Sequence, residues 1–284
     1  MIMVKNLQFK YPGAAERTLR GLDFSIRPGE IFGFLGPSGA GKSTTQKILI
    51  GSLKQYEGEV QVLGKEIRTV GSDYYERIGV AFEFPNFYQK FTVIENLRLF
   101  QSLYAGPTED PRILLAKLGL EDAAHQKVSQ LSKGMKMRLN FCRSILHRPE
   151  VLFLDEPTSG LDPVNSKIMK ELILEKKSEG ATVIITTHNM QAAEELCDRV
   201  AFIVDGHIKL IDSPRDLKLR LGVRQIRVEY RDNQELKAED FAIDGIGGNE
   251  RFLQLLRQYP IETMHSRETT LEQIFIDVTG RTLT

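Results

Sequence analysis

The sequence predicts an α/β fold built on a mainly parallel sheet. Antiparallel strands precede the sheet, a helical subdomain is inserted within it, and a small α+β appendage follows it. Three observations carry this prediction. Ile31-Phe32-Gly33-Phe34-Leu35 is an apolar run of strand length that enters a glycine-rich stretch, and Thr44 to Ile50 follows as a short helix stopped by Gly51. Val151-Leu152-Phe153-Leu154 and Thr182-Val183-Ile184-Ile185 carry apolar residues on both faces, as strands buried in a parallel sheet do. Between the first and second of these strands, from Thr92 onward, the apolar spacing becomes helical.

The elements follow in order. Val4 to Phe9 and Leu22 to Ile26 alternate apolar and polar residues, which predicts half-buried strands, and Pro28-Gly29 turns the chain into the Ile31 strand. Ile78 to Phe82 reads as a further strand. Thr92-Val93-Ile94-Glu95 is a capping box, and Asp110-Pro111 is an N-cap with proline at the first helical position of a helix that Gly119 ends. A third helix runs from Ser132 toward His147, with Met135, Leu139, Cys142, Ile145 and Leu146 near helical spacing, so the helical subdomain spans about 90–148. Asp162-Pro163 starts a helix that ends at Gly180. Ala201 to Val204 and Ile208 to Ile211 flank Asp205-Gly206, a hairpin turn. Beyond Pro214 the pattern changes: Gln225 to Tyr230 alternates like a strand and Phe252 to Tyr259 is helical. Thr270 to Val278 places Leu271, Ile274, Phe275 and Val278 on one helical face. The chain therefore divides into residues 1–215 and an accessory domain, 216–284.

With 284 residues and 41% apolar content, there is ample material for a core. Lys+Arg and Asp+Glu are equal at 38 each, so no global charge favours nucleic acid. Lys133, Lys136, Arg138 and Arg143 make the third helix basic, but without interleaved aromatics this reads as a solvated face near phosphates, and no nucleic-acid partner is expected. Cys142 and Cys197 are isolated and the five His show no zinc spacing, which fits a reducing cytosolic setting. No signal pattern and no run of membrane-spanning length is present, so a membrane role is expected to come through a partner.

Gly36-Pro37-Ser38-Gly39-Ala40-Gly41-Lys42-Ser43 fits G-x-x-x-x-G-K-[ST] at every position, between a strand and a helix start as the chemistry requires. The glycines let successive backbone N–H groups turn onto phosphates, and the helix N-terminus adds its positive dipole end. Lys42 reaches the β- and γ-phosphates, Ser43 offers a hydroxyl to Mg²⁺, and Thr44 completes the nucleotide-binding set of a P-loop NTPase core. Asp155-Glu156 closes the Val151 strand. An aspartate there suits a Mg²⁺ shell through water, and the next carboxylate, Glu156, suits a general base for an attacking water.

Leu131-Ser132-Lys133-Gly134-Met135 starts the basic helix. Here the chain resembles the nucleotide-binding subunit of an ATP-binding cassette (ABC) transporter, in a version similar to bacterial exporters of drugs, lipids or polysaccharides. The usual pattern, Leu-Ser-Gly-Gly-Gln, is replaced at Lys133 and Met135, while Ser132 and Gly134 are kept. The resemblance implies that Ser132 and Gly134 cap the γ-phosphate of ATP held by a second copy. Tyr11 then occupies the place of the aromatic that stacks on adenine. Ser159-Gly160-Leu161-Asp162 matches the D-loop, with Gly160 where alanine is more usual, and Asp162 doubles as a helix cap. Thr187-His188 matches the switch histidine, implying catalytic roles for Glu156 and His188. Glu83 stands where the family carries a glutamine that contacts Mg²⁺, so the implied metal set is Ser43, Asp155 and Glu83.

The implied function is ATP hydrolysis that powers transport through separate transmembrane permease subunits. Two copies close on ATP and Mg²⁺ at the cytoplasmic side of the cell membrane, held there through the membrane partner. Thr270 to Arg281 also resembles the ending of exporter-type cassettes. The alternative, a soluble ABC-type ATPase acting on ribosomes or DNA, is disfavoured by a single cassette and no heptad tract. A P-loop kinase or switch GTPase is disfavoured by the Ser132–Gly134 motif.

Overall fold

Alternation sets the first two strands, β1 (Ile2–Phe9) and β2 (Leu19–Ile26). Ile2, Val4, Leu7, Leu22, Phe24 and Ile26 face inward, and the strands pair antiparallel with Ile2 opposite Ile26 and Val4 opposite Phe24. β3 (Ile31–Leu35) is buried at every position and leads through the glycine loop into α1 (Lys42–Leu49), which begins two residues ahead of the sequence expectation. β4 (Glu57–Val62) and β5 (Lys65–Glu66) complete an antiparallel sheet in the order β2-β1-β4-β5. β4 escaped sequence reading because only Val60 and Val62 of its six residues are buried, too few to register as a pattern.

After α2 (Ser72–Tyr75) and β6 (Ile78–Ala81), the chain leaves the sheet for the helical insert. The insert holds α3 (Val93–Gln101), α4 (Pro111–Lys117) and α5 (Lys133–Ile145). The Thr92 capping box forms reciprocally: Glu95 N donates to Thr92 Oγ1 at 3.3 Å and Thr92 N donates to Glu95 Oε2 at 2.7 Å. β7 (Val151–Asp155), α6 (Pro163–Ser178), β8 (Thr182–Thr187), α7 (Met190–Leu196), β9 (Arg199–Val204) and β10 (His207–Asp212) follow. α7 was not foreseen; two turns offer too few positions for a period to show.

The second sheet has the order β10-β9-β3-β8-β7-β6, parallel throughout except for the β9–β10 hairpin. A shared core joins it to the antiparallel sheet. Phe24, Phe32 and Phe34 meet there with ring centroids 5.1 to 6.1 Å apart, each such pair contributing about 1 kcal/mol beyond area burial. The parallel register aligns the strands' carboxyl ends. Leu35 lies opposite Thr187, Asp155 opposite Thr186 and Ala81 opposite Leu154. The segments that leave these strands therefore emerge along one edge, where ligands of open α/β sheets are held.

The structure, a computed structural model, describes residues 1–233 and 235–282, apart from the Glu268 side chain. Gln234, Leu283 and Thr284 of the predicted accessory domain lie outside the described residues. The chain divides into two units, Met1–Ser213 and Pro214–Arg281. The second holds α8 (Pro214–Leu221), β11 (Arg224–Asp232), β12 (Glu235–Ala242), α9 (Glu250–Gln258), β13 (Ile261–Glu268) and α10 (Leu271–Thr279). Its antiparallel sheet runs β12-β11-β13, and Val228, Tyr230, Phe241, Phe252 and Leu255 form its core. Its flanking strands were not read in the sequence. β12 is exposed along most of its length, and cross-strand ion pairs such as Arg227–Asp240 take the place of an apolar stripe.

Candidate active site

The glycine loop is shaped by the strand beside it. A Cβ on Gly36 would fall 2.1 Å from the Ile203 carbonyl oxygen of β9, so only glycine lets the chain pass. Gly41, the N-cap of α1, has φ 109°, a conformation that side chains disfavour. Lys42 is almost wholly buried, and its Nζ donates to the carbonyls of Gly36 at 2.6 Å and Pro37 at 2.9 Å. Burial pushes its pKa down, while the carboxylates of Glu156, Asp155 and Glu83 oppose that shift.

A cleft of about 720 Å³ opens over this loop. It is lined by Ser38 through Thr44 together with Tyr11, Thr18, Glu83, Asp155, Glu156 and His188. Tyr11 is half-buried; its ring meets Phe9 edge-on at 4.8 Å, and its hydroxyl lies 3.2 Å from Thr44 Oγ1. Asp155, at the end of β7, takes a hydrogen bond from Thr186 Oγ1, and burial raises its pKa. Glu83 leaves β6 half-buried and lines the same cleft rather than facing bulk solvent.

Glu156 has φ 49°, a left-handed conformation that costs a non-glycine residue about 1–2 kcal/mol. Its neighbours hold it there. Oε2 accepts from Thr187 Oγ1 at 2.8 Å, while Oε1 accepts from the His188 backbone N at 2.9 Å and lies 2.6 Å from His188 Nδ1. The carboxylate can only accept, so the imidazole donates through Nδ1. His188 and Glu156 are thus one hydrogen-bonded unit at the mouth of the cleft.

Ser132, Gly134 and Asp162 do not line this cleft. They gather elsewhere on the same chain. Ser132 caps α5, accepting from Met135 N at 3.2 Å, and Asp162 caps α6, accepting from Asn165 N at 3.0 Å. A Cβ on Gly134 would lie 3.4 Å from Leu161 Cδ2, and one on Gly160 would lie 3.3 Å from Lys133 Cε, so the start of α5 rests against the 159–162 loop. The predicted site residues therefore form two groups: those around the cleft over the glycine loop and a separate patch carrying Ser132, Gly134 and Asp162.

Sequence reasoning missed Thr187, the hydroxyl that orients Glu156, and two residues of α5 that govern the Glu83 loop. Asn140 is fully buried and donates to Phe82 O at 2.7 Å. Arg143 donates to Asn86 O and to Asn140 Oδ1, with its guanidinium 5.1 Å from the ring centroids of both Phe87 and Phe100. A polar residue inside the apolar stripe of α5 was the available signal. Asn140→Ala is expected to destabilise the protein by about 2 kcal/mol, because the Phe82 carbonyl loses its donor and the Arg143 guanidinium loses one of its two acceptors. Thermal unfolding should show the midpoint fall by roughly 4–8 °C; an unchanged midpoint would show that the tie contributes nothing.

A family model described as ABC transporter matches residues 19–159, and one described as fluoroquinolone efflux ABC transporter C-terminal domain matches residues 224–268. The chain is 55% identical to a fluoroquinolones export ATP-binding protein of Mycobacterium tuberculosis, over 100% of this chain and 95% of that one. It is 34% identical to Nod factor export ATP-binding protein I of Burkholderia orbicola, over 98% and 96%. Among solved structures, the ATP-binding subunit of an ABC transporter matches with TM-score 0.71 and 29% identity, over 78% of this chain and 93% of that one. A dimeric ATP-binding cassette in a post-hydrolysis state, bound to ADP and Pi, matches with TM-score 0.67 and 27% identity, over 75% and 98%. The export names of these relatives set aside the alternative of a ribosome- or DNA-acting ATPase.

Proposed function

The chain belongs to the ATP-binding subunits of ABC transporters, and from that premise we propose that it works as a pair of identical copies driving export of fluoroquinolone-type drugs through separate membrane-spanning subunits. It binds and hydrolyses ATP. The observation that carries the drug assignment is the likeness to the mycobacterial fluoroquinolones export protein along the whole chain, its C-terminal unit included. Among the described residues no helix is long and apolar enough to cross a membrane. The export ATP-binding names of the relatives support assigning the membrane-spanning part to a partner, with this subunit at the cytoplasmic face.

In each copy the amides of Gly36–Thr44 and the Lys42 ammonium hold the phosphates, and Tyr11 stacks on the base. Ser43, Asp155 and Glu83 present hard oxygens to one cleft, a donor set that fits Mg²⁺. Among the described residues no three His, Cys, Asp or Glu side chains gather into a metal-binding group. When bound, Mg²⁺ neutralises charge on the transferring phosphoryl group. Glu156, held by Thr187 and His188, accepts the proton of the attacking water. Ser132 and Gly134 of the second copy close over the γ-phosphate, bringing the two separated groups of site residues together. ATP binds this closed state better than the open one, which is what lets binding do mechanical work.

The segment from Phe82 to Phe91 exposes Phe82, Phe84, Tyr88 and Phe91, an apolar surface suited to a membrane partner. Asn140 and Arg143 tie that segment to the helix that begins at Ser132. Nucleotide closure and the partner surface are thereby linked through one rigid element. Purification with the membrane partner and reconstitution in vesicles tests the proposal. Fluoroquinolones should stimulate ATP hydrolysis and accumulate in an ATP-dependent way; hydrolysis indifferent to them, with no uptake, rejects the drug assignment.

Glu83 gives a second, local test. Its charge repels a triphosphate unless a cation intervenes. Glu83→Gln should tighten binding of metal-free ATP by roughly fivefold, about 1 kcal/mol of relieved repulsion, and so weaken the Mg²⁺ dependence of binding. Identical Mg²⁺ dependence in both proteins would remove Glu83 from the metal set.

A further inference from the structure

Three polar side chains run in series from α1 to the end of β7. Gln46 is 2% exposed and Thr186 is fully buried. Thr186 Oγ1 lies 2.9 Å from the Gln46 side-chain amide and is hydrogen-bonded to Asp155 Oδ1. A threonine hydroxyl has one proton to give. It cannot donate to a carboxylate and to an amide oxygen together, and the carboxylate can only accept. The proton therefore goes to Asp155, and Gln46 must present its NH₂ to Thr186.

That orientation removes a second anomaly. With the amide turned the other way, Gln46 Nε2 is buried with no hydrogen-bond partner. Exchanging the amide's N and O, which are assigned from their partners, gives the nitrogen an acceptor. The atom then left without a partner is a carbonyl oxygen, which interiors tolerate better than an orphaned N–H. A single directional chain results: Gln46 N–H to Thr186 O, and Thr186 O–H to Asp155.

We infer that Gln46 and Thr186 are positioning residues that fix the rotation of the Asp155 carboxylate, occupying Oδ1 so that its other oxygen is held toward the Mg²⁺ shell. This rests on the reading of Asp155 as the Mg²⁺ carboxylate. Neither residue touches the nucleotide cleft, so the effect is on metal rather than on the triphosphate itself. Removing an outer-shell partner of this kind commonly costs 10–100-fold in metal affinity.

The test uses the full chain and a fluorescent ATP analogue, measured first in EDTA and then titrated with Mg²⁺. Gln46→Leu and Thr186→Val should each lower the apparent Mg²⁺ affinity roughly tenfold, with EDTA-measured nucleotide affinity unchanged, which also certifies the fold. Thr186→Ser, which keeps the hydroxyl, should restore wild-type behaviour. Because the residues act in series, the double variant Gln46→Leu/Thr186→Val should be no worse than either single one. Wild-type Mg²⁺ affinity in Gln46→Leu, or losses that multiply in the double variant, would overturn the relay. Asp155→Asn separates the two levels. If it leaves Mg²⁺ affinity intact, the metal reading of Asp155 fails; if it lowers the affinity while Gln46→Leu does not, only the relay fails.

Discussion

Glu156→Gln is expected to lower ATP turnover by about 10²–10³-fold while leaving ATP binding intact. The substitution keeps the volume and an acceptor oxygen for the Thr187 hydroxyl, but an amide cannot take the proton of water. The structural setting makes that loss specific. The carboxylate sits on a left-handed backbone at the end of β7, with donors from Thr187 and from the backbone and ring of His188 converging on it. Such a cost in conformation is maintained where the surroundings over-determine it, commonly at reacting centres. Single-turnover hydrolysis of radiolabelled ATP measures the effect. Turnover near the wild-type rate would remove Glu156 as the base and turn attention to His188, which shares its hydrogen bond.

Lys42→Ala is expected to weaken ATP binding by about 10²-fold, corresponding to roughly 3 kcal/mol. That magnitude is one or two charge-assisted hydrogen bonds to phosphate, made at a site where the ammonium is almost wholly out of water. The same change strips the Gly36 and Pro37 carbonyls of their shared donor, so the loop loses internal support as well as charge. Lys42→Arg should not rescue binding, because a planar guanidinium cannot occupy a pocket shaped for a point charge between two carbonyls. Fluorescence titration with ATP and with AMP separates the contributions. The loss should fall on ATP, and equal losses for both would mean that the loop had collapsed instead.

Much of this was legible because the chemistry is local in sequence. The phosphate loop, Asp155-Glu156 and Thr187-His188 each follow an apolar strand, and a parallel sheet gathers strand ends whatever lies between them. The caps at Thr92, Asp110 and Asp162 were legible for the same reason, since a cap is decided within four residues. What escaped depends on contacts distant in the chain. Thr186 meets Gln46 across 140 positions and Asn140 meets Phe82 across 58, and neither spacing leaves a trace in composition or period. β12 escaped because its burial is too slight to pattern the sequence, and β4 because two valines are all that it buries. The placement of Glu83 could be counted from the Thr92 capping box, but its position facing Lys42 required the fold.

In the proposed pair the site is shared between two copies, the cleft of one completed by Ser132 and Gly134 of the other. Sedimentation of the Glu156→Gln protein with MgATP tests it most directly, alongside the same protein carrying Ser132→Arg. Two chains should sediment together in the first case and one in the second, with ATP still bound to both proteins. A single-chain species in Glu156→Gln at saturating MgATP, or pairing undisturbed by Ser132→Arg, would contradict the shared site.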